Sequence, residues 1–301
     1  MKIILFGKDG QVGWELQRAL APLGELVVFG SQEADFENIN HIRDLIRKIQ
    51  PDVIVNAAAY TAVDKAQSEP EKAQRINAET VGMLGAEAHR LNAWLVHYST
   101  DYVFDGEKTS PYEEDDLPHP LSVYGKTKLE GDQLIVKSGA KHLIFRTSWV
   151  YAARGGNFAK TMLRLAQERD QLKVIADQHG APTSAELIAD VTALALYCIG
   201  REEVSLKADA AAKFSGIYNL VASGNTTWHG YAQYVLELAQ AKGVKLKAGS
   251  AAVLPIATED YPLPAVRPKN SRLNTRKLCD TFNIQFPDWR YHVQRLLEEL
   301  P

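Results

Sequence analysis

Residues 2–13 read KIILFGKDGQVG, a short apolar run followed by three glycines in a G-x-x-G-x-x-G pattern. The apolar run predicts a buried strand, and the pattern after it, through Trp14, Leu16 and Leu20, predicts a helix. Glycines between a strand and a helix let the backbone turn tightly and approach a pyrophosphate, whose charge is favoured at the helix N-terminus. This stretch, the glycine turn, therefore predicts a dinucleotide-binding site at the start of a parallel sheet.

Strands and helices alternate from the glycine turn to residue 150. Apolar runs at residues 25–30, 52–59, 94–98 and 142–145 predict further strands, and amphipathic patterns between them predict helices. The run at 52–59 ends in small alanines, which let a cofactor lie close to the backbone. This alternation is typical of an α/β protein with a Rossmann-type, doubly wound parallel sheet.

The periodicity loosens beyond residue 150, which indicates a second unit. We predict a dinucleotide-binding domain over residues 1–150. The chain is expected to return to this domain near residues 185–222. A smaller C-terminal α/β domain over 151–301 is expected to be interleaved with it and mainly to bind the substrate. The proline-rich stretch 251–274 shows little periodicity. Such a stretch in a compact domain is more often binding surface than scaffold, so we expect it at the substrate site.

The composition excludes several classes of protein. The 301 residues carry a formal net charge of -3, without the basic excess of a nucleic-acid-binding protein. The two cysteines, Cys198 and Cys279, are too isolated to indicate a disulfide framework or a structural zinc site. The chain runs from Met1 and Lys2 directly into an apolar strand, and it has no apolar run long enough to cross a bilayer. We therefore expect a soluble cytoplasmic protein with neither nucleic-acid nor membrane partners.

The segment Tyr124-Gly125-Lys126-Thr127-Lys128 opens a predicted helix and places a tyrosine and a lysine one turn apart on the same face. Free tyrosine has a pKa of about 10, far from neutrality. An ammonium held ~4 Å away at an effective dielectric of about 20 contributes roughly 4 kcal/mol, nearly three pKa units. The pair therefore suits a general acid or base. Ser99 and Thr100, at the end of the strand before it, would supply hydroxyl donors for a substrate carbonyl.

The end of the second strand bears on the choice of cofactor. Sheets of this kind that prefer NAD usually end that strand with an acidic residue, which holds the ribose 2′-hydroxyl. Here the strand ends in Gly30-Ser31, and Glu33 and Asp35 follow only later. A 2′-phosphate therefore meets no fixed repulsion, and Lys8 in the glycine turn could attract it. We expect use of both cofactors with a lean to NADPH, unless Glu33 or Asp35 folds back toward the ribose.

Four longer strings accompany these motifs: HYSTDYVF at 97–104, FRTSWVYA at 145–152, DQHGAPT at 177–183 and RPKNSRLNT at 267–275. With the glycine turn, the alanine-rich strand end and the Tyr-x-x-x-Lys pair, they make the chain resemble the extended short-chain dehydrogenases/reductases. Within that superfamily the chain resembles the dTDP-4-dehydrorhamnose reductases over essentially its whole length. That family completes dTDP-L-rhamnose synthesis, used for O-antigen and other lipopolysaccharide polysaccharides, by reducing the 4-keto group of dTDP-4-dehydro-L-rhamnose with NADPH or NADH. The resemblance also implies a homodimer and, in some members, Mg²⁺ at the dimer interface.

The resemblance implies roles for individual residues. Tyr124 would protonate the substrate oxygen, Lys128 would lower the tyrosine pKa and bind the nicotinamide ribose, and Thr100 would hydrogen-bond the carbonyl. The other implied cofactor contacts are Gly7, Gly10, Gln11, Val12, Gly13, Asp35, Phe36, Ala59, Tyr60, Thr61 and Tyr98. The other implied substrate contacts are Asp101, Trp149 and Arg267, the last as a nucleotide-phosphate partner, and the candidate Mg²⁺ ligands are Glu15, Glu186 and Glu299.

Two other functions stay open on the same scaffold. A nucleotide-sugar 4-epimerase would keep NAD tightly bound, and a non-catalytic regulatory subunit similar to the beta subunit of methionine adenosyltransferase would show no turnover. A 4,6-dehydratase fits less well, because the acidic pair expected after the threonine is here Asp101 followed by Tyr102. The intact Tyr124, Lys128 and Thr100 favour a working active site over a regulatory subunit.

Overall fold

Residues 1–206 and 210–300 are described by the structure, a computed structural model. Residues 207–209 and 301, which belong to the predicted second domain, lie outside the described residues. The strands, in chain order, are β1 (Lys2–Phe6), β2 (Glu25–Phe29), β3 (Val53–Asn56), β4 (Trp94–Thr100), β5 (Lys141–Thr147), β6 (Val150–Tyr151), β7 (Leu172–Ile175), β8 (His179–Gly180), β9 (Thr183–Ser184), β10 (Gly216–Asn219), β11 (Thr226–Thr227) and β12 (Val253–Ile256).

The α-helices are α1 (Gln11–Leu20), α2 (Ile39–Ile49), α3 (Val63–Ala66), α4 (Pro70–Gln74), α5 (Thr80–Leu91), α6 (Val123–Ser138), α7 (Phe158–Glu168), α8 (Ala185–Leu206), α9 (Ala210–Phe214), α10 (Trp228–Ala241), α11 (Arg276–Phe282) and α12 (Trp289–Glu299). A π-helix, Arg75–Glu79, connects α4 to α5. Short 3₁₀ turns lie at Ala21–Leu23, Asp101–Val103, Ser250–Ala252 and Thr258–Asp260. None of these helices is both long and apolar enough to span a bilayer.

Six of the strands form one parallel sheet in the order β2-β1-β3-β4-β5-β10. From β1 the chain moves to β2 on one side and then returns to β3 on the other, so the strand order reverses between β1 and β3. Ligands of open α/β sheets bind at such a switch point, outside the carboxyl ends of the strands. The α/β class and the doubly wound parallel sheet predicted from the sequence are confirmed, and the glycine turn after β1 lies at the switch point.

Helices cover both faces of this sheet. Because successive residues of a strand point to opposite faces, Ile3 and Leu5 pack on one face and Ile4 and Phe6 on the other. The first face is covered by α1 and α8, which pack against each other, and the second by α2, α5 and α6. Both faces of β1 are buried, which is why its sequence is apolar without alternation.

The C-terminal part of the chain adds β10 to the edge of the sheet and builds a separate apolar cluster. That cluster joins α7 and α10 to the short parallel pair β7 and β12. The sequence predicted an irregular stretch over 251–274, but Val253–Ile256 within it form β12. Because the partner strand β7 lies far away along the chain, no local pattern predicts this pairing.

Helix α6 packs against the π-helix with almost no space between the two backbones. A Cβ atom at Gly131 would stand 2.2 Å from the carbonyl oxygen of Asn77. Next to this contact the Asn77 side chain accepts from the N–H of Tyr60 at 2.9 Å and donates to the Tyr60 carbonyl oxygen at 3.1 Å. The π-helix therefore ties α6 to the loop that follows β3.

We predict that Gly131→Ala destabilises the protein. Alanine is the better helix former by about 1 kcal/mol, but its methyl group would meet a fixed backbone carbonyl, and overpacking of this kind costs about 1–3 kcal/mol. Gly200→Ala in α8 is the matched control, because no described atom lies within 4 Å of a Cβ atom there. In urea unfolding, the free energy of unfolding should fall for Gly131→Ala and stay level or rise for Gly200→Ala. Equal gains in both variants would contradict the close contact.

Candidate active site

A cleft of about 670 Å³ opens at the carboxyl ends of the strands, where the strand order reverses. Its volume is in the range of ligand-binding pockets, about 300–1,000 Å³. Most of the site residues expected from the sequence line this cleft: Gly7, Gly10, Gln11, Val12, Asp35, Phe36, Ala59, Thr61, Tyr98, Thr100, Asp101, Tyr124, Lys128 and Trp149. The fold thus brings residues from the glycine turn, four strand ends and one helix to a single place.

Three of the residues expected to contact the cofactor or the substrate are not among those that line the cleft. A Cβ atom at Gly13 would lie 1.9 Å from the carbonyl oxygen of Gly7, so this glycine is needed inside the turn itself. The Tyr60 hydroxyl donates to exposed Glu69 at 2.7 Å. Arg267 is engaged in an ion pair described below. The direct ligand contacts expected of Gly13, Tyr60 and Arg267 stay predictions.

The glycine turn is shaped to receive an anion. Gly7 has φ +87°, and a Cβ atom there would lie 2.6 Å from the carbonyl carbon of Ala57. Gly10 caps α1 without a side chain, so the first N–H groups of the helix have no capping oxygen. Because free N–H groups and the helix dipole favour negative charge, these residues fit the pyrophosphate of a dinucleotide.

Tyr124 stands in the first turn of α6. Ser122 caps this helix by accepting from the N–H of Gly125 at 3.1 Å, and a Cβ atom at Gly125 would lie 2.2 Å from the carbonyl oxygen of Tyr102. In this position the phenol lies beside the Thr100 side chain, and both line the cleft. Burial raises the pKa of Tyr124 above its usual value, and the neighbouring Thr100 hydroxyl opposes this shift. Burial has the larger effect, so the phenol carries its proton at neutral pH.

Lys128 is buried one turn further along α6. Its Nζ donates to the carbonyl oxygen of Tyr98 at 2.6 Å and lies 3.0 Å from Nε2 of His97. Burial lowers the pKa of Lys128 to about 8, and the charge of Asp132 opposes this shift. The sequence predicted that Lys128 would lower the pKa of Tyr124. In the structure the amino group is directed at β4, and burial instead decides the pKa of the phenol.

His97 connects Lys128 to the end of β3. Burial and the charge of Lys128 hold the pKa of His97 well below its usual value, so the ring is neutral and has one N–H. The Asn56 amide is oriented by the N–H of Ala58, which donates to its Oδ1 at 3.0 Å, and its Nδ2 lies 3.1 Å from Nδ1 of His97. Nδ1 then accepts from Asn56, which places the ring proton on Nε2, facing Lys128. This ring proton and burial both disfavour a charge on Lys128, and a pKa of about 8 still leaves most of the amino groups charged at neutral pH.

Two more buried charged side chains belong to this network and were not expected from the sequence. Asp132 accepts from the Ser99 hydroxyl at 2.6 Å, and its second oxygen lies 3.9 Å from Nε2 of His97. Nε of Arg146 lies 3.9 Å from the carboxylate of Asp132. One signal was present in the sequence, because Asp132 follows Lys128 by four residues and so shares its face of α6.

Trp149 lines the cleft from the segment that follows β5. Its backbone has φ +50°, a left-handed conformation that is unusual for a bulky residue. The ring stacks on Trp228 with centroids 3.7 Å apart, and a Cβ atom at Gly180 would lie 2.6 Å from it. The indole is therefore fixed between β8 and α10. Trp228 was not expected, because nothing near it in the sequence indicates that it meets Trp149.

Asp101 is buried beside Thr100, whose hydroxyl donates to its Oδ1 at 3.0 Å. Burial raises the pKa of Asp101 to about 6, and the neighbouring hydroxyls of Ser271 and Thr100 oppose this shift. Ser271 belongs to the proline-rich stretch. That stretch therefore reaches the part of the cleft that contains Thr100 and Tyr124.

Arg267 forms a two-pronged ion pair with Asp64. Its Nη1 and Nη2 donate to the two carboxylate oxygens at 2.9 and 2.8 Å, and the guanidinium lowers the pKa of Asp64. The pair joins α3 to the proline-rich stretch. The sequence predicted Arg267 as a phosphate partner, and in this structure the fork is engaged by a carboxylate instead.

Lys8, expected to attract a 2′-phosphate, donates to the carboxylate of Glu33. The other carboxylate oxygen of Glu33 accepts from the N–H of Gly30 at 2.9 Å. A hydrogen bond from Lys8 lowers the pKa of Glu33. Of the alternatives that the sequence left open, the structure therefore contains the one in which Glu33 folds back to the end of β2.

The three glutamates considered for Mg²⁺ lie near one another. Burial raises the pKa of Glu15, and the charges of Glu186 and Glu299 add to this shift. Arg295 donates to Glu186 at 2.8 Å and lies 3.9 Å from Glu299. Within residues 1–206 and 210–300, no group of three or more His, Cys, Asp and Glu side chains is placed to hold a metal ion. Mg²⁺ binding therefore stays a prediction.

Comparisons with known proteins agree over the full length of the chain. Residues 1–301 match the family model described as RmlD substrate binding domain. The chain is 54% identical to dTDP-4-dehydrorhamnose reductase of Escherichia coli (strain K12) over 305 residues, which cover 100% of this chain and 98% of that protein. The crystal structure of a dTDP-4-dehydrorhamnose reductase from Clostridium acetobutylicum is 34% identical and matches with a TM-score of 0.87, covering 99% of each chain.

A second solved structure extends the similarity to a cofactor complex. The dTDP-4-dehydrorhamnose reductase of Bacillus anthracis, crystallised with NADP, is 32% identical and matches with a TM-score of 0.85, covering 99% of this chain and 100% of that one. These similarities span the glycine turn, the Tyr124 and Lys128 pair and the C-terminal segment alike. The chain belongs to the dTDP-4-dehydrorhamnose reductase family.

Proposed function

We propose that this protein reduces the 4-keto group of dTDP-4-dehydro-L-rhamnose to give dTDP-L-rhamnose, with NADPH or NADH as reductant. The observation that carries the proposal is that Tyr124, Lys128 and Thr100 line the same cleft as the glycine turn. The family supplies the class of substrate, a dTDP-sugar. The product would serve the synthesis of O-antigen and other polysaccharides.

The chemistry divides between the cofactor and the side chains at the end of β4. When bound, the dihydronicotinamide supplies a hydride to the carbonyl carbon of the sugar. When substrate binds, the Thr100 hydroxyl would turn away from Asp101, to which it donates at 3.0 Å in this structure, and donate to the carbonyl oxygen beside Tyr124. Because burial keeps the phenol protonated at neutral pH, Tyr124 can deliver its proton to that oxygen as negative charge develops there.

Lys128 lies one turn further along α6 than Tyr124. Its position is set by the Tyr98 carbonyl, and a pKa of about 8 leaves most of the amino groups charged at neutral pH. An N–H group of the ammonium that is not used by Tyr98 suits a ribose hydroxyl of the cofactor. The proposal thus keeps the ribose-binding role that the family resemblance implies for Lys128, and not the role of lowering the pKa of Tyr124.

The two alternative functions have less support. The full-length relatives and solved structures named above are reductases, and Tyr124, Lys128 and Thr100 all line one cleft. A 4-epimerase would purify with bound NAD, which an absorbance spectrum of the pure protein would reveal. A regulatory subunit would fail to oxidise either reduced cofactor in the presence of the keto sugar.

The division into domains is part of the proposal. We assign residues 1–150, with returns near 185–222, to the dinucleotide, and most of residues 151–301 to the sugar nucleotide. The pairing of β10 with β5 and the packing of α8 on α1 support the returns. The contacts of Ser271 and Trp228 at the cleft support the second assignment.

A homodimer is likewise proposed, with its interface on α1, α8 and α12. Trp14, Leu194, Tyr197 and Tyr291 are exposed on these three helices, which also carry the glutamates considered for Mg²⁺. Sedimentation with and without Mg²⁺ would test the assembly, and a monomer under both conditions would contradict it. A cytoplasmic location stays a prediction.

Replacement of Tyr124 by phenylalanine tests the proposed function directly. The variant loses the proton donor and keeps the ring, so oxidation of NADPH or NADH with dTDP-4-dehydro-L-rhamnose should slow by about 10²–10⁴-fold. The dissociation constant of the cofactor should change little. Tyr234→Phe, on α10 outside the cleft, is the matched control and should retain full turnover. Near-normal turnover in Tyr124→Phe would remove the phenol from the mechanism.

The pH dependence should report the protonation of Lys128. Since its pKa is lowered to about 8 and the charged form is the active one, kcat/KM should fall as the pH rises through about 8. Asp132 raises this pKa, so Asp132→Asn should move the fall to lower pH. Lys128→Met should abolish this limb and also weaken cofactor binding, while Glu130→Gln on the same helix should leave the profile unchanged. A profile that Asp132→Asn does not shift would contradict the assignment.

The ion pair of Arg267 with Asp64 should affect binding of the sugar nucleotide and not binding of the cofactor. Arg267→Lys loses the two-pronged geometry, and loss of a charged hydrogen bond worth about 1.5 kcal/mol corresponds to about tenfold in affinity. We expect a KM for the dTDP-sugar that is higher by about this factor, with an unchanged KM for the cofactor. Arg276→Lys, in an exposed pair with Asp280, serves as the control. An effect confined to the cofactor would place Arg267 at the other site.

A further inference from the structure

We propose that Asp9, in the glycine turn, takes the place of the acidic residue that the end of β2 lacks, and that its carboxylate selects NADH over NADPH. The proposal rests on the proposed function only in that the cleft binds a nicotinamide cofactor. It concerns the adenosine ribose, which differs between the two cofactors, and not the reacting end of the cleft.

The space that a side chain would occupy at the end of β2 is filled by Asp9. A Cβ atom at Gly30 would lie 2.0 Å from Oδ2 and 3.1 Å from Cγ of Asp9. Gly30 does not have a positive φ, so its backbone conformation does not require glycine. The nearest atom to that position belongs to the carboxylate of Asp9, and Oε2 of Glu33 lies 3.1 Å away. The acid is therefore present at the strand end, but another part of the chain supplies it.

The backbone holds Asp9 in this place. The N–H groups of Gly7 and Lys8 both donate to the carbonyl oxygen of Phe29, the last residue of β2, at 2.9 and 3.1 Å. The N–H of Gly10 donates to the Gly7 carbonyl at 3.1 Å and closes the turn. Asp9 lies between these anchored residues, and both Asp9 and Gly30 line the cleft. Its side chain is exposed and accessible to a ligand.

The surrounding charges favour a hydroxyl over a phosphate. Lys8, the nearest cation, donates to Glu33, and its pKa is raised by that hydrogen bond first and then by the charges of Glu33 and Asp9. Among the residues that line the described cleft, the one lysine or arginine is Lys128, which is held at the carbonyl of Tyr98. A 2′-phosphate would bring a further charge of about −1.5 to −2 to this acidic place. A ribose hydroxyl can instead donate a charge-assisted hydrogen bond to the carboxylate.

This inference reverses the preference expected from the sequence. In the sequence, Gly30-Ser31 indicates space for the 2′-phosphate of NADPH at the end of the second strand. Lys8 would then be free to attract that phosphate. In the structure Lys8 is engaged by Glu33, and Asp9 occupies the open place. The end of β2 therefore has the negative charge that is typical of an NAD site, although residue 30 is glycine and Asp9 supplies the carboxylate.

Calorimetric titration of the full-length protein, without sugar substrate, tests the proposal. The ligands are NADH, NADPH, ADP-ribose and 2′-phospho-ADP-ribose; the last two lack the nicotinamide and so report on the adenosine end alone. The wild type should bind the ligand without the 2′-phosphate at least about fivefold more tightly in each pair, the usual size of a partly exposed charge interaction. Asp9→Asn, which keeps the size and removes the charge, should tighten NADPH binding by about fivefold and change NADH binding less.

Two further variants separate the role of Asp9 from general charge effects. Glu37→Gln removes one negative charge outside the cleft, where Glu37 pairs with Lys72, and should leave the NADH to NADPH ratio unchanged. Asp9→Ala combined with Gly30→Asp moves the carboxylate to the strand itself and should restore the wild-type preference that Asp9→Ala alone loses. Since charge repulsion is screened by salt, the wild-type ratio should narrow in high salt, and that of Asp9→Asn should not.

The outcomes distinguish this proposal from the proposed function. Tighter binding of NADPH than NADH by the wild type, or an equal shift of the ratio in Asp9→Asn and Glu37→Gln, would overturn the role of Asp9 and leave the reductase assignment intact. Failure to bind any of the four ligands would overturn the proposed function itself. If the double variant does not fold, Asp9→Asn alone still decides the question.

Discussion

The amino group of Lys128 is buried against β4, 2.6 Å from the carbonyl oxygen of Tyr98, and the catalytic end of the cleft is arranged around it. An ammonium group removed from water costs on the order of several kcal/mol unless its surroundings replace the lost hydration. The carbonyl oxygen of Tyr98 supplies part of that replacement as a hydrogen-bond acceptor, and Asp132 supplies part of it through its charge. Because Lys128 and Tyr124 share one face of α6, the contact that places the lysine also places the phenol.

This contact requires α6 to lie unusually close to its neighbours. At two positions on the helix, Gly125 and Gly131, a Cβ atom would collide with a backbone carbonyl, once of Tyr102 and once of Asn77. Both carbonyls belong to segments that border the cleft. Close backbone contact therefore contributes to the docking of the helix, beside the packing of side chains such as Ile135. Such contact leaves little freedom for Tyr124 to move away from Thr100, which suits a proton transfer that depends on short distances.

The charges in the cleft divide along its length. The end with the hydroxyls of Tyr124 and Thr100 is served by a lysine, whereas the end at β2 is bordered by the carboxylates of Asp9 and Glu33. A nicotinamide cofactor would span both ends, with its pyrophosphate at the glycine turn between them. The end near Tyr124 would then stabilise the charge that develops during the reaction. The end near β2 would bind the adenosine ribose, which does not take part in the reaction.

Much of this could be predicted from the sequence, because the determining features are local. The order of strand, glycine turn and helix at residues 2–20 predicts a dinucleotide site. A tyrosine and a lysine four residues apart lie on the same face of a helix. Apolar runs without alternation indicate strands buried on both faces, as β1 is. These properties depend on neighbours within a few residues, so no knowledge of the tertiary structure is needed to recognise them.

The tertiary structure alone decided which charged groups meet. Nothing local pairs Arg267 with Asp64, stacks Trp149 on Trp228 or directs Lys128 at β4 instead of at Tyr124. The same holds for Gly30, which by itself indicates a strand end without an acid, whereas the fold delivers the carboxylate of Asp9 to that place. Electrostatic interactions depend on distance through space and on burial, and neither quantity follows from position along the chain.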